Sequence, residues 1–220
     1  MARKLFWEDP YLRACDTVVE RVDGATISLR ETIFYAFSGG QESDAGAIAG
    51  HPVLEARKVG LDIAYRLPDD HGLRPGDPAR VEIDWERRYR LMRLHFAAEV
   101  VLELVVGAFP GIEKVGAHIA ADKARIDFAW PGSLAPHVQD LARQAQELIA
   151  RDLEIVSAFS DPAAQRRYWE VPGFARVPCG GTHLRRTGEV GAITLRRKNP
   201  GKGKERLELY VDTRLAPADV

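Results

Sequence analysis

Cysteine is scarce in this sequence, which contains only Cys15 and Cys179 among its 220 residues. Domains that depend on disulfide bonds carry several cysteines, so two cysteines cannot make a disulfide framework. We therefore expect both thiols to be reduced and the protein to work in the cytoplasm.

Long apolar runs and an excess of one charge are also missing. No stretch approaches the roughly 20 apolar residues of a membrane span, and Lys4 is not followed by the apolar core of a signal peptide. A membrane partner is therefore not expected. The formal net charge of −1 excludes a protein coated with basic residues, so nucleic acid could be bound only through a local patch.

The residues before Asp84 show the pattern of short strands separated by turns. Two β-rich runs flank Asp23-Gly24, which is a hairpin signal. The segments predicted to be strands are residues 17–22, 25–29, 32–37, 59–67 and 79–83. Several short strands with turn signals favour a small β-barrel-like domain, which we place at residues 1–88.

The pattern changes after Asp84. Residues 86–106 contain no Gly or Pro, Asp84 is a suitable N-cap and Gly107 follows, so a long helix is predicted. Further helices are predicted over residues 134–157 and 162–168, and strands within residues 114–128 and 188–213. Residues 89–220 are therefore predicted to form an α+β domain.

Four potential metal ligands occur in two separate parts of the chain. His95 and Glu99 lie four residues apart in the predicted helix, which places them on one face. Cys179 and His183 are separated by Gly180-Gly181-Thr182, and glycines let a loop turn tightly enough for both to reach one ion. The helix pair alone is more typical of a solvated ion pair. With the loop, these four residues predict a zinc site.

A glycine-rich segment over residues 38–46 contains Gly39-Gly40-Gln41. It is either a simple turn between strands or a loop whose backbone N–H groups and Gln41 amide approach a ligand. The segment lacks the Lys-Ser/Thr ending of a phosphate-binding P-loop, so ATP is not expected as a partner.

A basic segment follows the Cys/His loop. Nine residues from Arg176 to Arg206 are Lys or Arg, and they are opposed by Glu189 and Glu205 alone. The densest part has the composition of a solvated hairpin tip, but its place after the predicted metal loop favours a phosphate partner. The residues predicted to bind phosphates are Arg196, Arg197, Lys198, Lys202 and Lys204.

Together these segments resemble the AlaX family of freestanding alanyl-tRNA editing proteins, and also the editing domain of alanyl-tRNA synthetase and the related domain of threonyl-tRNA synthetase. The resemblance extends from about residue 32 to residue 205. The matching motifs are Gly39-Gly40-Gln41, Asp84-Trp85-Glu86-Arg87-Arg88, and Cys179 to His183 followed by Thr187-Gly188-Glu189-Val190-Gly191.

This chain departs from the family pattern at a few positions. Glu99 stands where the family has a second histidine, and Phe96 stands where Thr or Ser commonly lines the amino-acid pocket. Ala36 and Ser38 replace a proline and a glycine of the family's first motif.

The resemblance implies a β-barrel-like domain followed by an α+β editing domain. It implies a zinc-dependent aminoacyl-tRNA deacylase that hydrolyses the ester joining a mischarged serine or glycine to alanine tRNA. For this reaction we expect Gln41 to hold the water or the ester carbonyl. Gly39, Gly40, Phe96 and Thr182 are expected to lie against the substrate.

Several alternatives stay open at this point. Glu99 either binds zinc or acts as a general base, and zinc either polarises water or orients the amine of the amino acid. The ring of Phe96 either narrows the amino-acid pocket or faces the core. The chain could also act on a different aminoacyl-tRNA, or serve as a tRNA-binding module without catalysis.

Overall fold

The computed structural model describes residues 1–201 and 203–212, and the chain divides into two compact units. Unit 1 consists of Met1–Ser38 and Glu42–Tyr89, and unit 2 consists of Gly39–Gln41 and Arg90–Val220. The sequence placed Gly39–Gln41 in the first domain, whereas in the structure these three residues belong to unit 2. Two α-helices and mainly antiparallel sheets make the fold α+β.

Unit 1 is built from short strands. They are β1 (Arg3–Lys4), β2 (Ala14–Asp23), β3 (Thr26–Leu29), β4 (Glu31–Thr32), β5 (Gly46–Ile48), β6 (His51–Pro52), β7 (Glu55–Val59), β8 (Asp62–Arg66) and β9 (Pro78–Ile83). Seven of them form an antiparallel sheet in the order β6-β5-β9-β2-β3-β8-β7, and β1 pairs with β4. The hairpin predicted at Asp23-Gly24 is confirmed, since Asp23 pairs with Thr26.

Two strand predictions in unit 1 need correction. Residues 33–37 follow β4 but form no strand of the sheet, because side chains accept hydrogen bonds from two of their backbone N–H groups. Tyr35 N donates to Asp44 Oδ2 at 2.7 Å, and Phe37 N donates to Ser43 Oγ at 2.8 Å. The predicted strand over residues 59–67 is two strands, since Gly60 takes a φ of 61° in the turn between β7 and β8.

Arg88 secures the start of the long helix within unit 1. Its Nε donates to Asp44 Oδ1 at 2.7 Å, its Nη2 also bonds Asp44, and both side chains are fully buried. Nη1 and Nη2 further donate to the carbonyls of Pro10 and Ile33 at 3.1 and 2.5 Å. A buried guanidinium with this many acceptors is fully satisfied, which explains the need for arginine at this position.

The predicted long helix is confirmed as α1 (Trp85–Ala108). Asp84 caps it, because its Oδ1 accepts the N–H of Arg87 at 3.0 Å. From Leu91 to Val101 the helix is buried on several faces, so this part lies in the interior of unit 2.

Unit 2 contains two further sheets and a second helix. Its strands are β10 (Glu113–Ile119), β11 (Ala124–Ala129), β12 (Val156–Asp161), β13 (Arg166–Val171), β14 (Ala175–Pro178), β15 (Ile193–Gly201) and β16 (Lys204–Val211). One sheet has the order β10-β11-β16-β15 and the other has the order β12-β13-β14. Helix α2 is Val138–Ala150.

The other two helix predictions need correction, since the second helix is shorter than predicted and the third is not a helix. Helix α2 ends at Ala150, and the chain turns at Asp152, which has a φ of 48°. Residues 162–168, predicted as a helix, hold a turn in which Ala164 N bonds Asp161 Oδ1 at 3.0 Å, followed by the start of β13. Across the described residues, no helix is long and apolar enough to span a membrane.

Candidate metal and active site

Helix α1 and the loop after β14 bring the four predicted ligands of unit 2 together. One donor atom from each of His95, Glu99, Cys179 and His183 lies within 4.8 Å of the others. Cys179 Sγ is 3.3 Å from Nε2 of both histidines. Glu99 Oε2 is 3.3 Å from His95 Nε2 and 3.5 Å from His183 Nε2. The loop reaches the helix because the backbone N–H of Cys179 bonds the carbonyl of Arg167 on β13 at 2.9 Å.

Four of the six distances between the donor atoms are those expected between ligands of one zinc ion. Ligands at about 2.0–2.3 Å from zinc stand about 3.3–3.6 Å apart in a tetrahedron. The four distances given above, from 3.3 to 3.5 Å, match that spacing, and all of the donor atoms lie within 4.8 Å of one another. Glu99 Oε2 is buried without a hydrogen-bond partner among the described residues, which suits an atom that would face a cation. The four residues could therefore hold a metal ion.

Charge within the cluster shifts each group toward its ionised form. Burial lowers the pKa of His95, but Glu99 and Cys179 outweigh it and leave that pKa well above its usual value. Burial and Glu99 raise the pKa of Cys179, yet the two histidines bring it down to about 7. The pKa of Glu99 is lowered, because the histidines outweigh its burial. A thiolate and a carboxylate side by side are stable only beside positive charge, as a divalent cation provides.

Gln41 lies beside the loop that carries two of the ligands. Its side chain is fully buried, and its Nε2 donates to Thr182 Oγ1 at 2.9 Å. Its Oε1 has no hydrogen-bond partner among the described residues. Gln41 and Thr182, each predicted to be a residue of the site, are therefore in contact, and Gln41 keeps one acceptor atom available.

A glycine is required at position 40 for the chain at Gln41 to pass close to β10. Gly40 has a φ of 91°, and a Cβ there would lie 2.6 Å from the carbonyl oxygen of Ala117. Its own carbonyl accepts the N–H of Ile119 at 2.8 Å, and Gln41 pairs with Ile119 as an isolated bridge. Gly40 and Gln41 therefore lie against β10, and this part of the glycine-rich segment is more than a turn between strands.

A small cavity of about 40 Å³ adjoins the cluster within unit 2. Its wall includes the ligands His95 and Glu99, together with Gly39. The other lining residues are Ala98, Leu102, Lys114, Ala117, Ile119 and Ile126. Sequence reasoning missed Lys114, since only the folded β10 brings it near Glu99.

Phe96 follows the first ligand but points elsewhere. Its side chain has no exposed surface, and its ring lies 5.2 Å from the ring of Trp169 in an edge-to-face arrangement. Successive residues of a helix point about 100° apart, so Phe96 faces the interior while His95 faces the cluster. This is the second of the two orientations that the sequence left open.

Ser157 is a further residue of the site that the sequence did not indicate. Its Oγ is 3.2 Å from Nδ1 of His183. A partner at Nδ1 fixes the ring so that Nε2 points to the cluster. The predicted helix over residues 134–157 hid this position, which in the structure lies on β12.

We expect a Ser157→Ala variant to bind metal about tenfold more weakly, because the His183 ring loses its orienting partner. A chelator-competition titration measures the change. Ser160→Ala is a matched control, since Ser160 is on the same strand and its Oγ bonds the carbonyl of Arg166 instead. Equal metal affinities for the two variants would show that Ser157 does not position the ring.

The predicted phosphate-binding residues do not share one environment. Arg197 is bound to the buried Glu205 through Nε and Nη2 at 2.8 and 2.5 Å. Lys198 Nζ is 3.3 Å from Glu208, and the Arg196 guanidinium lies 5.0 Å from the Tyr210 ring. Lys204 is exposed at the start of β16, and Lys202 lies outside the described residues. The hairpin cations are therefore partly held by acidic partners.

Comparison with known proteins agrees with the motifs. The family model for the threonyl and alanyl tRNA synthetase second additional domain matches residues 170–208. The chain is 33% identical to the alanyl-tRNA editing protein AlaX-M of Pyrococcus horikoshii, over 96% of this chain and 99% of that protein. It is 32% identical to AlaX-M of Methanosarcina acetivorans, over 94% and 98% of the two chains. It is also 32% identical to the alanine–tRNA ligase of Ignicoccus hospitalis, over 97% of this chain and 26% of the ligase.

Proposed function

The chain belongs to the AlaX family of alanyl-tRNA editing proteins, and from this membership we propose that it hydrolyses the ester of mischarged serine or glycine on alanine tRNA. It acts in trans and without ATP. The cytoplasm is the proposed compartment, in keeping with two free thiols. The observation that carries the proposal is the convergence of His95, Glu99, Cys179 and His183 beside a small cavity.

His95, Glu99, Cys179 and His183 would hold zinc, whose spacing they fit. A bound zinc ion would supply a fixed positive charge that polarises water or orients the amine of the amino acid. Cys179 and Glu99 contribute two negative charges to the donor set. They would offset the charge of the ion, which favours the orienting role.

Gln41 would place the water. Its Nε2 donates a hydrogen bond to Thr182, and its buried Oε1 would accept a hydrogen bond from the O–H of the water. Backbone N–H groups near Gly39 and Gly40 would face the developing oxyanion. An ester is an activated substrate, so a positioned water and a stabilised oxyanion are what this site must provide.

The size of the cavity limits the amino acid. The space beside the ligands is small, about 40 Å³, which favours a small amino acid over a large one. Its wall carries Glu99 and Lys114, which offer partners to an amine and to an oxygen. This supports a small mischarged amino acid as the substrate.

The remaining parts of the proposal concern tRNA and the form of unit 1. Arg196, Arg197, Lys198, Lys202 and Lys204 are proposed to contact tRNA phosphates. The seven strands of unit 1 are proposed to have the barrel-like form that the family resemblance implies.

The test is to mix the purified protein with seryl-, glycyl- and correctly charged alanyl-tRNA and to follow loss of each ester without ATP. We expect faster loss of a mischarged ester, and about tenfold slower loss with Gln41→Ala because one hydrogen bond is removed. Turnover of a different ester in a wider panel would assign another aminoacyl-tRNA. Tight tRNA binding without any turnover would make the protein a binding module and reject the proposal.

Glu99 is proposed to be a ligand, because its Oε2 faces Nε2 of both histidines. A Glu99→His variant is then expected to bind metal more tightly than the parent, since imidazole is a better zinc ligand than carboxylate in such sites. A Glu99→Gln variant is expected to bind it more weakly. Chelator competition measures both. If instead both variants keep parental metal affinity and lose hydrolysis, Glu99 is the general base.

A further inference from the structure

Two acidic side chains on the sheet of β10, β11, β16 and β15 each hold two cations. Asp127 accepts Arg206 through Nε and Nη2 at 2.5 and 3.1 Å, and it accepts Arg125 Nη1 at 3.0 Å. Glu208 accepts Lys123 Nζ at 2.9 Å and lies 3.3 Å from Lys198 Nζ. We call the five residues Lys123, Arg125, Arg196, Lys198 and Arg206 the cationic face.

Strand alternation explains why these residues share one face. On β16, Arg206 and Glu208 alternate with Leu207 and Leu209, both of which are fully buried. Cross-strand register then joins the strands, since Asp127 pairs with Arg206 and Arg196 pairs with Glu208. Arg197 points to the opposite side and bonds Glu205 there.

The cationic face has more positive charge than structure alone requires. One cation neutralises one carboxylate, yet Asp127 and Glu208 each have two, and Arg196 lies against the Tyr210 ring. The surplus cations keep much of their surface, with side-chain exposures of 38% for Arg125 and 61% for Lys198. Because the carboxylates hold them in place, they lose little freedom when they bind an anion.

The chemistry of this face favours a polyanion over a single base or a small anion. Several cations spread over three strands match repeated phosphates. A base-stacking surface needs an open aromatic face, whereas the ring of Tyr210 faces the Arg196 guanidinium at 5.0 Å. We propose that the cationic face binds the phosphodiester backbone of the RNA substrate. This inference rests on the proposed function and extends the proposed phosphate contact from the hairpin to the sheet, adding Lys123, Arg125 and Arg206.

The test variant carries Arg125→Gln, Arg196→Gln and Lys198→Gln. It leaves Asp127 with Arg206 and Glu208 with Lys123, so each carboxylate keeps one cation and the fold is expected to be retained. The matched control carries Arg143→Gln, Arg151→Gln and Arg176→Gln, three exposed cations of unit 2 away from this face. Both variants change the net charge by the same amount. The single variant Arg196→Gln keeps the test available if the triple variant unfolds.

Binding of uncharged tRNA is measured by fluorescence anisotropy from about 50 to 200 mM KCl. We expect the slope of log Kobs against log salt to fall by about 2–3 in the triple variant and by about 1 in Arg196→Gln, at about 0.9 per lost phosphate contact. The control is expected to keep the parental slope. Equal slopes for the parent and both face variants would overturn the inference, as would an equal loss in the control. Because no ester is involved, this result is independent of whether the parent deacylates seryl-tRNA.

Discussion

Replacing Cys179 with alanine is expected to abolish both metal binding and ester hydrolysis. Cys179 Sγ lies 3.3 Å from Nε2 of both histidines, so its removal leaves three ligands and an opening on one side of the donor set. Changes in residues that only support metal ligands cost about 10–100-fold, and loss of a ligand is expected to cost at least about 100-fold. Elemental analysis and release of serine from seryl-tRNA measure the two effects.

Cys15 provides the control for this experiment. It is the other cysteine of the chain, it lies on β2 in unit 1, and burial raises the pKa of its thiol. A Cys15→Ala variant is therefore expected to keep metal and activity. A Cys179→Ala protein that retains one equivalent of metal and the parental rate would contradict the assignment of Cys179 as a ligand.

The second large effect is expected from Gly181→Ala. A Cβ at Gly181 would lie 2.5 Å from His95 Cε1, 3.1 Å from His95 Nδ1 and 2.9 Å from Gln41 Oε1. His95 is buried and cannot move aside freely, so the added methyl group is expected to displace a proposed metal ligand and the acceptor that is proposed to place the water. We expect metal affinity and hydrolysis to fall by about 10–100-fold, as after a change in a supporting residue.

Gly107→Ala is the matched control for this substitution. Gly107 lies in α1, and a Cβ there meets nothing within 4 Å. This change is expected to leave metal binding intact and to raise stability by about 0.5–1 kcal/mol, as alanine does in a helix. A Gly181→Ala protein that binds metal and hydrolyses the ester like the parent would contradict this prediction, since the loop would then have shifted to make room for the methyl group.

The four donor residues could be predicted because their types and short spacings are local in the sequence. His95 and Glu99 need only a helix to share a face, and Cys179 and His183 need only a tight loop. The meeting of the two pairs depends on long-range contacts. Family resemblance supplied that information before the structure did.

Other parts of the site depend on pairings that no local pattern contains. Ser157 reaches His183 only because the chain turns at Asp152 and continues as β12, where helix propensity favoured a longer α2. Arg125 joins the cationic face only when β11 pairs with β16, about 80 positions later in the chain. The position of Phe96 next to His95 was clear from the sequence. The side that its ring faces was not, because it depends on Trp169, which lies far away in the chain.

Gln41 lies in a stretch of three residues that the chain sends into unit 2 before it returns to unit 1 at Glu42. A shortened gene product beginning at residue 90 would keep all four metal ligands. It would lack Gln41, the partner that Thr182 has in the intact protein. Truncation at this boundary would therefore separate the proposed metal ligands from the residue that is proposed to place the water, and a shortened protein that still bound metal would be expected to lose hydrolysis.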